Sequence, residues 1–312
     1  MSAVTRVAAV DCGTNSIRLL VADVEDGTLR DVVRRAEVVR LGRDVDRTGQ
    51  LAPDALARTL DMARQYAAVC REHGATAVRF VATSATRDAR NRDQFVAGVR
   101  DAFGVAPEVV SGTEEAELSF RGAVGALAGR GVHDAPYGVV DLGGGSTEVV
   151  VGTVRPDAAW SMDVGSVRLT ERHLRTDPPT PDETAAATAT VDAALDEALA
   201  HVPVAGVRTL VGLAGSVTTV TARALNLDRY DHTRVDGAVL SVDQVLAACD
   251  DLLHRTRDQR TALGVHPGRV DVIGAGALVW SRVVRRVAAA SGVRQVVTSE
   301  HDILDGIALS LA

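Results

Sequence analysis

The 312 residues contain no lysine, so all 34 Lys+Arg positions are arginine. That excludes a P-loop lysine and a Schiff-base lysine. Any phosphate held by a side-chain cation other than histidine is held by arginine, as a planar fork. A genome-wide arginine bias is the simplest account of the absence. No apolar run approaches the ~18 residues of a membrane span, so no membrane association is expected. The N-terminal "MSAVTRVAAVDCG" meets Asp11 too early for a signal peptide, which makes the cytoplasm the expected location. Only three cysteines occur, Cys12, Cys70 and Cys249, without metal-binding spacing, and they read as reduced thiols. Cys12, beside Asp11, is either a small core residue or a nucleophile. A net charge of −7 argues against a nucleic-acid partner. It leaves room for an anionic ligand, because local fields decide such binding. Hydrophobic content of 46% and charged content of 24% fit a globular protein of one large or two ordinary domains.

What is present is a repeat. In "MSAVTRVAAVDCGTNSIRLLVADV" an apolar strand runs into D-x-G-x-x-S and a second apolar strand leaves it. "VVDLGGGSTEVVVGTV", residues 139–154, does the same. Asp11 maps to Asp141, Gly13 to Gly143 and Ser16 to Ser146, all at an offset of 130, which suggests two related halves. The alternative is two unrelated hairpins that share turn residues.

Strands and helices alternate along the rest of the chain, so the class is α/β. "DVVRRAEVVRLG" reads as strand. "APDALARTLDMARQYAAVCREHG" reads as helix, with Pro53 at its start and Gly74 at its end. "AVRFVATSA" is a strand entering a helix near Arg87, "APEVVSG" a short strand, and "TEEAELSFRGAVGAL" a helix. A strand follows near 159–164 and a helix over 181–200. "VRTLVGLAGSVTTVTARAL" and "RVDVIGAGALVWSRVVRRVA" both read as strand, glycine turn, helix, with the helix "SVDQVLAACDDLLHRT" between them. "VRQVVTSEHDILDGIALSLA" closes the chain as strand and helix. The Gly/Pro segment 128–138 marks a domain boundary.

Glycines let backbone N–H groups turn toward an anion and approach it closely. Thr14, Ser16, Ser146 and Thr147 offer hydroxyls to phosphate oxygens. Asp11, Asp141 and Glu148 are candidate ligands for a hard divalent cation. Carboxylates beside phosphate make sense only with such a cation, since like charges otherwise repel. Ordinary turns with chance acids are the competing reading. In "SGTEEAELSFRG", Ser111 and Glu114 have capping-box spacing, and Glu117 and Arg121 have i, i+4 spacing. Glu115 has no such local partner, although an acid in a first turn also suits the helix dipole. Arg87 and Arg90 in "FVATSATRDARN" are either phosphate contacts or solvated surface arginines.

Those stretches, with "GLAGSVTTVTA", "HPGRVDVIGAGAL" and "SEHDILDGIAL", occur in the order seen in the Ppx/GppA phosphatases, and the chain resembles the short actinobacterial exopolyphosphatases of that family over essentially its whole length. The resemblance implies two ribonuclease-H-like domains of the actin, sugar-kinase and heat-shock chaperone ATPase superfamily, with an active-site cleft between them. Domain I would span 1–127 and 299–312, and domain II 128–298. It implies release of terminal phosphate from inorganic polyphosphate, or of the 5′ γ-phosphate of guanosine pentaphosphate (pppGpp). Glu115 becomes the catalytic base and Arg87 the phosphate-contacting arginine. Asp11, Thr14, Asn15 and Ser16 match the first phosphate loop, and Gly143, Gly144, Gly145, Ser146 and Thr147 the second. Asp141, Glu148 and Asp11 become metal ligands, for Mg²⁺ or alternatively Mn²⁺, and a homodimer is expected. The chain ends before the helical domains of longer members, and Leu304 stands where they often have arginine. Both departures point to short polyphosphate chains. A pppGpp phosphohydrolase, a small-molecule kinase and a non-catalytic polyphosphate or alarmone sensor are the rival readings.

Overall fold

The apolar runs around Asp11 and Asp141 each form the centre of a mixed β-sheet. In the computed structural model, which describes residues 4–128 and 134–311, the chain divides into two α/β units, Met1–Gly122 with Ile303–Ala312 and Ala123–Asp302. Residues 129–133 of the boundary expected at 128–138 lie outside the described residues.

The first unit holds β1 (Thr5–Cys12), β2 (Ser16–Glu25), β3 (Thr28–Val38), β4 (Ala77–Ala82) and β5 (Glu108–Val109) in the order β3-β2-β1-β4-β5. β1 to β3 form an antiparallel meander, while β4 and β5 run parallel to β1. β1 lacks apolar–polar alternation because both faces of its sheet are covered. Ala8, Val10 and Cys12 join a core with Tyr66, Phe80 and Phe95, and Val7 and Ala9 join a second core with Leu118, Ile303 and Ile307. The helix Pro53–Glu72 starts with proline at its first position, and Gly74 beyond its end takes φ +68°.

The second unit holds β6 (Tyr137–Leu142), β7 (Thr147–Gly152), β8 (Pro156–Met162), β9 (Thr209–Leu213), β10 (Val239–Ser241) and β11 (Gln295–Thr298) in the order β10-β11-β9-β6-β7-β8. β6 to β8 repeat the meander, and β9 and β11 run in parallel beyond β6. Strand for strand this is the first sheet with one antiparallel strand added at its edge. The helix Pro181–His201 is held at its start by a capping box between Thr180 and Glu183. No helix among the described residues is long and apolar enough to cross a membrane.

Two glycine turns expected from the sequence are absent. β9 runs straight into the helix Ala214–Ala224, which contains Gly215. "RVDV", residues 269–272, is a turn rather than a strand, and the helix Ile273–Ser291 already contains Gly274 and Gly276. These glycines serve packing, not a turn. A Cβ at Gly274 would lie 2.6 Å from Arg260 Nη2, and one at Gly276 would lie 2.4 Å from Ser216 Oγ.

The last helix, Ile303–Leu309, packs against the helix Gly112–Ala128. A Cβ at Gly306 would lie 2.0 Å from the Leu118 carbonyl oxygen, which is main chain and cannot rotate aside. Gly306→Ala is therefore expected to destabilise the protein by about 3 kcal/mol, the upper end of overpacking costs, read by chemical denaturation. A loss below about 0.5 kcal/mol would contradict this contact.

Candidate active site

In the first unit three parallel strands end level with one another. Cys12 stands opposite Ala82, and Ala82 opposite Val109. The loop after β1, the helical turn Ser84–Asp88 and the helix Gly112–Ala128 therefore leave the same edge of the sheet. The carboxyl ends of parallel strands are where α/β sheets place ligands.

The Gly13 N–H donates to the Ser16 carbonyl at 2.9 Å and closes the first loop. The loop's carbonyls face the segment that follows β3. Asn15 O accepts from Val39 and Arg40 N–H at 3.0 and 2.8 Å, and Thr14 O accepts from Gly42 N–H at 2.8 Å. Thr14 Oγ1 is 2.9 Å from Ser84 Oγ, so the hydroxyls of two loops share a hydrogen bond. Asp11 is 5% exposed, and its Oδ2 accepts from Arg18 Nε at 2.9 Å and Nη2 at 2.7 Å. A carboxylate already held by a guanidinium is a poor cation ligand, and Asp11 differs in this from the expectation. Cys12 is buried, and burial first, then the charge of Asp11, push its thiol well up, so it is a core residue and not a nucleophile.

Arg87 and Glu115 meet. Arg87 Nη1 donates to Glu115 Oε2 at 3.2 Å and to the Val110 carbonyl at 2.9 Å. The second bond fixes the guanidinium against the end of β5, so the first places the carboxylate as well. Arg90 is structural, donating to the Thr48 carbonyl at 2.8 Å. The Ser111 hydroxyl accepts from Glu114 N–H at 3.2 Å, one half of the expected capping box. The Glu114 carboxylate instead accepts from Arg79 at 2.7 Å. Arg121 does not reach Glu117 but donates to the Leu309 carbonyl at 2.7 Å, satisfying an acceptor at the end of the last helix.

The second unit repeats the plan. β6, β9 and β11 end level, with Asp141 opposite Leu213 and Gly212 opposite Thr298. Gly143 N–H donates to Ser146 O at 3.0 Å, the same closure as in the first loop. Gly143 O accepts from Ser166 N–H at 3.0 Å, and Gly144 O accepts from Val167 and Arg168 N–H at 2.8 and 3.1 Å. The helix Ser166–His173, which follows β8, thus seats the loop by its carbonyls. Among the described residues none supplies an acceptor to the N–H groups of Gly144, Gly145 and Ser146, which suits them to an anion. Thr147 corrects its expectation: its hydroxyl donates to the Val164 carbonyl at 2.6 Å and has no proton left for phosphate.

Asp141 and Glu148 are direct cross-strand partners and share one face of the sheet. They are 6% and 1% exposed, and Ser161 Oγ donates to Glu148 Oε1 at 2.7 Å. Among the described residues no three acids, histidines or cysteines are grouped to hold a metal. Two hard oxygen donors without a third fit Mg²⁺, which keeps several waters and takes its other ligands from phosphates.

Four contributors escaped the sequence reading: Arg18, Ser161, the backbone of 39–42, and Gly165, where a Cβ would lie 2.5 Å from Gly144 O. For Arg18 a signal existed, because it sits 130 residues before Glu148.

Residues 20–311 match the Ppx/GppA phosphatase family. The chain is 51% identical to exopolyphosphatase 2 of Mycobacterium tuberculosis over 320 aligned residues, covering 99% of each protein. It superposes on the crystal structure of an exopolyphosphatase-like protein with a TM-score of 0.96 at 48% identity, covering 99% of this chain and 98% of the other. The Aquifex aeolicus PPX-GPPA enzyme follows with a TM-score of 0.81 at 29% identity, over 99% of this chain and all of that one.

Proposed function

The chain belongs to the Ppx/GppA phosphatase family, and on that premise we propose that it is an exopolyphosphatase, releasing terminal phosphate from inorganic polyphosphate by direct hydrolysis. The observation that carries this reading is the Arg87–Glu115 contact, a phosphate-type donor and a carboxylate held 3.2 Å apart at the carboxyl edge of one sheet. Arg87 donates to equatorial oxygens of the terminal phosphoryl group as charge spreads over them. The Glu115 carboxylate orients a water and accepts its proton as the oxygen attacks phosphorus, the bond from phosphorus to the bridging oxygen breaks, and the chain leaves one phosphate shorter. In the first unit the hydroxyls of Thr14 and Ser16, and in the second the N–H groups of Gly144, Gly145 and Ser146, are the donors offered to non-bridging phosphate oxygens. Asp141 and Glu148 would hold Mg²⁺, or Mn²⁺, whose charge when bound neutralises the transferring and leaving phosphates. Water is the acceptor, and no covalent enzyme intermediate is needed.

Short chains are the proposed substrates. Leu304, which stands where longer family members often have arginine, is 1% exposed in the core and offers no basic contact. The cytoplasm is the proposed location and a homodimer the proposed assembly. The test is phosphate release with Mg²⁺ from short polyphosphate, long polyphosphate and pppGpp. Release from polyphosphate, fastest for short chains, is expected. Release from pppGpp alone would replace the reading with a nucleotide phosphohydrolase. No release from any of them in folded protein would favour a sensor.

A further inference from the structure

The 130-residue repeat extends past the turns into the strands. In each hairpin the second cross-strand pair from the turn begins with the repeated aspartate: Asp11 stands opposite Arg18, and Asp141 opposite Glu148. Arg18 and Glu148 are repeat equivalents (148 − 130 = 18). One hairpin therefore pairs a buried acid with a base, and the other pairs it with a second acid. The third strands differ in step. Glu148 stands opposite Ser161, whose hydroxyl donates to its carboxylate at 2.7 Å, whereas Arg18 stands opposite Ala36, which has no hydroxyl. A carboxylate used as a metal ligand is commonly oriented by an outer hydrogen-bond donor. A guanidinium needs an acceptor, and Asp11 is that acceptor. Acid directly opposite acid is unfavourable in a ladder, and a cation on the pair removes the penalty.

We propose that Arg18 is a built-in cation, supplying to the first phosphate loop the positive charge that a divalent ion supplies to the second, so that the chain binds one such ion and not two. The proposal rests on the reading of Asp141 and Glu148 as the cation pair. Arg18 acts through Asp11 and is a positioning residue. It holds that aspartate's charge in check at the loop without an exchangeable ligand.

The test is a titration of the metal-free full chain with Mn²⁺, read by electron paramagnetic resonance and calorimetry. One site is expected in the wild type and none in the Asp141→Asn, Glu148→Gln double variant. Arg18→Glu, with Ala36→Ser added to supply the missing hydroxyl, is expected to bind two ions. One ion in that folded variant would overturn the proposal, and so would two in the wild type. No ion in the wild type would fail the Asp141–Glu148 reading instead, and the proposal would go with its premise. Should the Arg18→Glu, Ala36→Ser chain unfold when stripped of metal, Mn²⁺ is expected to restore its cooperative melting. An absence of that rescue would equally count against a second site.

Discussion

Glu115→Gln is expected to lower kcat for phosphate release by about 10²–10⁴-fold and to leave the melting temperature nearly unchanged. The loss corresponds to roughly 3–5 kcal/mol of transition-state stabilisation. Glutamine keeps the shape of the side chain, and its carbonyl oxygen still accepts from Arg87 Nη1, as the carboxylate does at 3.2 Å. It cannot take a proton from water. Arg87 also stays fixed by its bond to the Val110 carbonyl, so the substitution removes the base without loosening its neighbour. Glu114→Gln is the matched control. Glu114 is 43% exposed, and its partner Arg79 also pairs with Glu108 at 2.7 Å. An exposed pair of this kind contributes at most about 1 kcal/mol, so stability should shift slightly and kcat hardly at all. Steady-state kinetics on both variants, with thermal melts, separate the roles. Equal loss of kcat in the two would remove Glu115 from the chemistry.

The parts of this site that could be read in the sequence are those with strong local chemistry. Asp11, Gly13 and Ser16 repeat as Asp141, Gly143 and Ser146, and in both loops the glycine N–H donates to the serine carbonyl. The alternation of strands and helices was legible for the same reason, since buried parallel strands are short apolar runs between capped helices. Contacts set by tertiary packing were not. "RVDVI" has a strand's composition, yet its last residue opens a helix whose glycines admit Arg260 and Ser216, a constraint placed by distant residues. The hydroxyl of Thr147 looks like a phosphate donor until the chain brings Val164 beside it. Arg121 has a helical partner by spacing in Glu117 but finds a carbonyl 188 residues away. Spacing within one element says what can meet. Only the fold decides which of several competing partners is met.

Gly165→Ala is expected to lower kcat/KM by about 10²-fold, through the second phosphate loop and without touching any group that performs chemistry. Gly165 has φ −149° and ψ 170°, an extended conformation open to any residue, so its requirement is space. A Cβ there would lie 2.5 Å from both the carbonyl carbon and the oxygen of Gly144 and 2.6 Å from Gly145 N. All three atoms are main chain, and no side-chain rotation relieves the clash. Restoring ordinary van der Waals distance takes a shift of about 1 Å in the loop, a displacement that costs positioning-dependent catalysis about 10²-fold. The same shift strains the bonds from Val167 and Arg168 N–H to Gly144 O that seat the loop. Gly206→Ala is the control, since a Cβ there meets nothing within 4 Å. Both variants should fold, with Gly165→Ala melting a few degrees lower, as overpacking costs of about 1–3 kcal/mol imply. Equal activity in the two would mean that the N–H groups of Gly144 and Gly145 do not hold the substrate. A selective loss in Gly165→Ala would show that the position of that main chain, and not only the acids flanking it, sets the rate.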